Sequence, residues 1–469
     1  MAKDRILACQ HSLDVLARAI FTQALAECSI ERAFGQKIRI TNAADGTVRL
    51  GLGDGVVDLA RVAQVRVIAI GKAAGTLLAA LLPRLPLPAP CDVQGVLIAP
   101  KSPPQLPMGF QFFAGGHPLP NEASFDGARA ILSMLNEVPK VKSSVAESLC
   151  LFLVSGGASA MMELPLDPTI TLEDTIAFHR MLVHSGASIA EMNCVRKHFS
   201  AVKGGRLAAA AQGAECFSIV VSDVPAGHLD SIASGPTVPD TSTLAECREI
   251  LQRYKLLERF PASVRQFFTS ADLPETPKPQ DLVTHSLMLL DAGDLADAAR
   301  KHAEQLGFHV VIDNTCDDWD YRAASEYLLT RLRALRREQA RVCLVSVGEV
   351  AVSAANDSLI VSGNGGRNQH FALYTATQLE PSDAPIAVLS AGSDGIDGNS
   401  TAAGAVIDEH TLSSPDIGAE GRSVEQLRTE ADAALQQFCS FPFLQSRGAI
   451  LTTGPTGNNL RDLRLLLAE

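Results

Sequence analysis

Lysine, arginine, serine and aspartate recur in this chain at one kind of place, just after a short apolar run and among glycines. "VRVIAIGKAAG" sets Lys72 behind Gly71, and "LFLVSGGASA" ends in Ser155-Gly156-Gly157-Ala158-Ser159. "IVVSDV" ends in Ser222 and Asp223, and "IASGPT" carries Ser234-Gly235-Pro236-Thr237. In the second half, "VSGNGGRNQHFAL" places Gly366, Arg367 and Asn368 at what reads as the start of a helix. "GSDGIDG" carries Asp394, Gly395 and Asp397, and "TTGPTGNNLRDL" repeats the pattern. Hydroxyls and backbone N–H groups in such turns suit phosphate oxygens. Helix N-termini draw anions, and a guanidinium matches carboxylate or phosphate. "NCVRKHFSAVKGGRLA" adds Asn193, Arg196, Lys197, Lys203 and Arg206 around a glycine pair; its alternative reading is a solvated helix face with a glycine cap. Asp223, Asp394 and Asp397 are either Mg²⁺ carboxylates or turn residues. His117 in "GGHPLP" is either part of a site or a hydrogen-bonded turn residue.

The runs that must position these residues are short and rich in β-branched side chains: 65–70, 93–99, 149–154, 217–221, 286–290, 308–313, 341–347, 357–361, 385–390 and 448–453. Several are apolar on both faces, as strands covered by helices must be. Helical stretches such as 125–136 and 293–306 separate them, which makes the chain an α/β protein. Ligands of open α/β sheets lie beyond the carboxyl ends of the strands, so strand ends of this composition describe the lining of a cleft. The Pro-rich, polar stretch 269–285 is expected to divide two domains near residue 280, giving 1–280 and 281–469. Apolar positions from Ile6 to Ile20 suit an amphipathic N-terminal helix.

Composition bounds the function. At 469 residues, 46% hydrophobic and 20% charged, the chain is long enough for two or three globular domains. A net charge of −12 without any Lys/Arg run argues against a nucleic-acid surface. Ten cysteines without CxxC or zinc-like Cys/His spacing fit reduced, buried thiols in the cytoplasm. Charges at Asp4, Arg5 and Asp14 interrupt any signal-peptide core, and no apolar run reaches membrane length. Walker A, a complete GxGxxG, GxSxG and HExxH are all missing, which weakens P-loop ATPase, dinucleotide-binding, hydrolase and metalloprotease readings.

In order along the chain, "GKAAG", "GGHPLPNEAS", "LVSGGASAMMELP", "NCVRKHFSAVKGGRLA", "IASGPTVPDTST", "GNGGRNQHFAL", "GSDGIDGNSTAAGAVID" and "TTGPTGNNLRDL" resemble the class II glycerate kinases, the glycerate 2-kinases. The resemblance implies a larger Rossmann-like N-terminal domain with a parallel sheet, a smaller C-terminal α/β domain of the MOFRL type, and an active site between them. It implies ATP-dependent phosphorylation of D-glycerate at its 2-hydroxyl, with ATP and Mg²⁺ required. Lys72 and Arg367 fall on the family's catalytic lysine and arginine. Ser155 to Ser159, Asn193, Arg196, Lys197, Ser234 to Thr237, Gly366, Asn368 and Gly395 become substrate or nucleotide contacts. Of these, the 155–159 loop would cradle phosphates, and Arg196 or Lys197 would hold the glycerate carboxylate. Asp223 or Asp394 would bind Mg²⁺ or accept the hydroxyl proton. The chain departs from the family at Ala158, Asn121 and Ala226-Gly227-His228, where an extra glycine, an Asp and a Gly-Asp-Asp-like segment are usual. The alternatives are an NAD(P)-dependent hydroxypyruvate reductase, a kinase for a related hydroxy acid, or a non-catalytic sugar-acid-binding protein. Partners are expected to be small molecules, with neither nucleic acid nor membrane, and a homodimer is allowed.

Overall fold

The structure is a computed structural model that describes residues 12–42, 47–139, 147–222, 224, 232–353, 363–413 and 422–469. It divides into two compact units, residues 30–289 and residues 1–29 with 290–469. The first described helix, α1 (Leu13–Glu27), therefore belongs with the C-terminal half of the chain. Sequence reading had assigned it to the N-terminal domain. Leu13, Ala17, Ile20, Phe21 and Ala24 form its buried face, and it packs on strand Ile386–Gly392 and helix Ala292–Gln305. An apolar stripe fixes that a helix is buried, but not against which distant partner.

The 30–289 unit begins with an antiparallel meander, β1 (Ile38–Asn42), β2 (Val48–Leu52) and β3 (Gly55–Asp58). A six-stranded sheet follows, built from β4 (Val62–Ile70), β5 (Asp92–Ala99), β6 (Phe110–Ala114), β7 (Glu147–Val154), β8 (Glu215–Val221) and β9 (His285–Leu290) in the order β6-β5-β4-β7-β8-β9. The pairings of β4 with β5 and β7, β5 with β6, and β7 with β8 are all parallel. The chain leaves β4 toward β5 on one side and returns to β7 on the other, so the sequence order reverses between β4 and β7. Such a reversal opens the crevice in which doubly wound sheets bind ligands. A separate aromatic core, with Phe178, Phe199, Phe260, Phe267 and Phe268, knits the helices between Leu172 and Thr269.

The other unit holds a second six-stranded sheet of β10 (His309–Ile312), β11 (Val342–Gly348), β12 (Ile386–Gly392), β13 (Gly404–Asp408), β14 (Ile450–Leu451) and β15 (Asp462–Ala468), ordered β10-β11-β15-β12-β13-β14. Only β10 and β11 pair in parallel; β15 runs antiparallel to both β11 and β12 and is buried along its whole length. The strand expected at 357–361 lies outside the described residues.

Candidate active-site loops

The switch point of the first sheet is where Lys72 stands. The Ser155 amide donates to Ile70 O (3.0 Å), and the Lys72 amide donates to Gly156 O (2.9 Å). The Ala73 amide donates to Ser155 Oγ (3.0 Å). The loops after β4 and β7 are thus zipped together by their own backbone. Gly71 has to be glycine: its φ is +115°, and a Cβ there would lie 2.4 Å from Ser155 O. Lys72 itself is exposed, and none of the described residues forms an ion pair with it. Its stem and the His117 ring flank Gly157. Burial first, and then the Lys72 charge, push the His117 imidazole below its ordinary range, so it is neutral at pH 7.

Ser159 continues the line. Its Oγ lies 3.2 Å from Ser234 Oγ, and Ser234 donates to Asn193 Oδ1 (3.1 Å). Arg196 Nη1 also donates to Asn193 Oδ1 (3.4 Å), while the buried Arg196 Nε has no partner among the described residues. Ala233 and Ser234 hold left-handed backbone, φ 53° and 58°, a conformation that costs non-glycine residues about 1–3 kcal/mol and persists only where surroundings enforce it. Here the enforcers are the Gly204, Gly205 and Leu207 amides, which donate to Ser234 O, Gly235 O and Pro236 O. The structure therefore brings together Lys72, Ser155–Ser159, Asn193, Arg196 and Ser234–Pro236.

Other expected contacts serve the scaffold. Lys197 is buried and donates to Asp240 Oδ1 (3.2 Å), so its ammonium is already committed to a carboxylate. Thr237 accepts from Ser218 Oγ (2.7 Å) and sits beneath the loop. Lys203, also buried, pairs with fully buried Glu163, which His179 Nε2 approaches to 2.9 Å. Burial alone would raise the Glu163 carboxyl; the Lys203 charge and His179 outweigh it and hold the group down at about 2.

In the other unit, α2 (Arg367–Gln378) starts at Gly366, and the anion at its N-terminus is the protein's own. Asp397 accepts from the amides of Asn368 (3.1 Å) and Gln369 (2.9 Å). A Cβ on Gly366 would lie 2.2 Å from that carboxylate. Asn368, expected to touch substrate, is buried; its Nδ2 donates to Asp397, and its Oδ1 accepts from Ser390 Oγ (2.6 Å). Arg367 donates through Nε (2.6 Å) and Nη2 (3.0 Å) to buried Asp462, and through Nη1 (2.8 Å) to Glu349. Burial opposes its charge, but the two carboxylates more than compensate and raise its pKa. Arg367, expected as a catalytic cation, is thus held by two carboxylates, Asp462 and Glu349. Gly395 turns the neighbouring loop with φ +83°. Asp394 is half-buried, and its Oδ1 accepts from the Ile396 amide (3.0 Å). Asp223 lies outside the described residues. Sequence reasoning missed Glu349 and Asp462 as partners of Arg367. Their acidity was visible, but not their proximity.

A parallel sheet with glycine- and hydroxyl-bearing loops at its switch point, cationic at Lys72 and Arg196, defines an anion-handling α/β enzyme. Residues 16–269 match the family described as "Domain of unknown function (DUF4147)", and residues 342–462 match the MOFRL family. The chain is 34% identical to the D-glycerate 2-kinase of Thermotoga maritima, over 76% of this chain and 79% of that protein. It is 31% identical to the glycerate 2-kinase of Pyrococcus horikoshii, over 85% and 86%. The crystal structure of the T. maritima glycerate kinase superposes with a TM-score of 0.77 at 29% identity, covering 97% of this chain and 99% of that one. The chain belongs to the glycerate 2-kinase family.

Proposed function

We propose that this enzyme transfers the γ-phosphoryl group of ATP to the 2-hydroxyl of D-glycerate, giving 2-phosphoglycerate and ADP. The observation that carries the reading is the contrast among cations. Lys197, Lys203 and Arg367 are neutralised by the protein's own carboxylates, whereas among the described residues Lys72 has no ion pair and the Arg196 and Arg206 Nε have no hydrogen-bond partner. Cations left unpaired beside a glycine loop await an anionic ligand.

Phosphoryl transfer relies on positioning and charge stabilisation more than on covalent chemistry. Lys72 stabilises charge on the transferring group, the Ser155–Ser159 loop offers amides and hydroxyls to phosphate oxygens, and Arg196 holds the glycerate carboxylate with Asn193 and Ser234 alongside. Arg367 acts through its anchorage, fixing α2 and the Gly365-Gly366 turn. Mg²⁺ takes one or two carboxylates together with phosphate oxygens; Asp223 and Asp394 are the candidate donors, each within its own unit. When bound, the metal neutralises phosphate charge.

The test is incubation with ATP, Mg²⁺ and D-glycerate, with the product identified by phosphorus NMR. 2-Phosphoglycerate together with stoichiometric ADP is expected. Exclusive 3-phosphoglycerate refutes the assignment, as does NADH oxidation with hydroxypyruvate in place of ADP release.

A further inference from the structure

Away from these loops lies a cluster the phosphoryl-transfer reading does not use. Cys194 and His198 stand one turn apart on helix Ile189–Phe199, and Cys247 faces them from helix Leu244–Arg253. The two sulfurs and a ring nitrogen lie within 4.8 Å of one another. Two thiols and an imidazole could in principle hold a soft metal, but the imidazole is already engaged. Its Nδ1 lies 2.8 Å from Cys194 O, and its Nε2 lies 2.9 Å from Glu275 Oε1. Both partners are acceptors, so both nitrogens carry protons and neither keeps a lone pair for an ion. Burial disfavours that imidazolium, yet its contacts with Cys194 and Glu275 raise its pKa overall.

An imidazolium beside a sulfur favours thiolate. The Cys194 thiol is held well below its ordinary range, first by hydrogen bonding with Cys247 and then by His198 and Ser242. Cys247 moves the other way, raised by the same bond and by burial, with Arg248 weakly opposing. The hydrogen bond between the two sulfurs favours the thiolate at Cys194, which His198 also faces, and the thiol at Cys247. Access is also unequal. Cys194 lines an open cleft of about 400 Å³ with Glu191, Ser242, Glu246, Ile250 and Arg253, whereas Cys247 is fully buried behind it.

We propose that Cys194 and Cys247 form a redox modification site, in which a hydroperoxide entering the cleft converts the two thiols into a disulfide. The Cys194 thiolate attacks the peroxide O–O bond, giving a sulfenic acid and, after protonation of the leaving oxygen, one water or alcohol. The Cys247 sulfur then attacks the sulfenic sulfur, loses its proton, and expels a second water. Two thiols lose two electrons, and the peroxide gains them. The crosslink ties together two helices, one of which carries Asn193 and Arg196, so it also reaches the anion site; this last consequence rests on the kinase reading.

The experiment is titration of the reduced full chain with hydrogen peroxide, followed by peptide mass spectrometry. A Cys194–Cys247 crosslink, reversed by dithiothreitol, is expected with the loss of two free thiols. In Cys247→Ser, dimedone should trap Cys194 as sulfenic acid. In the unmutated protein, iodoacetamide at pH 6 should label Cys194 at least about tenfold faster than the half-exposed Cys91 or Cys439, because the neighbouring His198 favours its thiolate. Oxidation confined to Cys91 or Cys439 overturns the proposal. So does equimolar zinc in the purified protein that shields both thiols until chelated. A roughly tenfold fall in kcat/KM on crosslinking, absent in Cys247→Ser, is the expected activity readout, of the size seen when catalytic groups are misplaced. If the crosslink forms in a protein that never phosphorylates glycerate, the kinase reading fails and the redox site stands.

Discussion

Replacing Arg367 with methionine separates an anchoring arginine from a catalytic one. Its guanidinium makes three hydrogen bonds to two carboxylates, and Asp462 on β15 is almost fully buried. Removing one partner of a buried ion pair costs about 3–5 kcal/mol, since the other charge is left without compensation. The Arg367 side chain is 37% exposed, so water screens part of that loss, and about 2–3 kcal/mol is the reasonable expectation. For a unit of this size each kcal/mol moves the melting point by about 2–4 °C, so Arg367→Met should melt about 4–12 °C lower. Asp462→Asn removes one charge but keeps the shape, and Glu349 still holds Nη1. The double variant should therefore be more stable than the two separate losses summed, by about 1–2 kcal/mol of coupling. Melting followed by circular dichroism gives all four corners of the cycle, and kcat is measured well below the lowest melting point. Activity should fall in Arg367→Met together with stability. A variant that melts like the parent while losing about 100-fold in kcat would refute the anchor and restore a direct catalytic role.

Lys72→Met should show the opposite profile, with kcat for glycerate phosphorylation reduced about 100-fold or more and an unchanged melting point, because the ammonium is exposed and has no ion pair among the described residues; a near-normal kcat removes Lys72 from the mechanism. Glu163→Gln leaves buried Lys203 without a counter-charge and should cost about 3–5 kcal/mol, partly recovered in Glu163→Gln/Lys203→Met; equal stability of all three proteins in urea would contradict the buried-pair account. The Asp397 carboxyl is pushed up to about 6, by burial first and by Asp462 next, against the hydrogen bonds it accepts. Its contribution to stability is thus fully present below about pH 4, where the unfolded group also keeps its proton, and is lost as pH rises through 6, by about 2–3 kcal/mol. Asp397→Asn should flatten the decline in urea midpoint between pH 4 and 7; parallel profiles for the two proteins would show the group is not perturbed.

Much of the architecture was legible because it is written locally. The runs at 65–70, 93–99, 149–154 and 217–221 are strands with hydrophobic residues on both faces, and Gly71 and Gly156-Gly157 follow two of them where the backbone turns closely. β15 was missed because "DLRLLLA" alternates only over its first four residues and is rich in leucine, which favours helix in isolation. Its place between β11 and β12 is set by tertiary pairing. The meander β1–β3 was missed for a related reason. Its strands are four or five residues long, and polar residues interrupt their apolar pattern.

The site was legible in residue type but not in allegiance. "VRKHFSAVKGGR" presents a row of cations that look interchangeable in sequence, and only their partners tell them apart. Lys203 meets an acid 40 positions away, Lys197 one 43 away, and Arg367 one 95 away. No local pattern encodes such pairings, because each depends on which distant segments become neighbours. A buried cation without a partner is costly, so Lys197, Lys203 and Arg367 each meet an acid, while fully buried Arg464 donates to Gly348 O and Ser346 Oγ instead. Among the described residues the fold leaves Lys72 without an ion pair and the Arg196 and Arg206 Nε without a hydrogen-bond partner, and these are the cations the kinase reading gives to the ligand. Subtracting satisfied charges from the basic residues near a glycine loop thus narrows the candidates of the kinase reading to Lys72, Arg196 and Arg206.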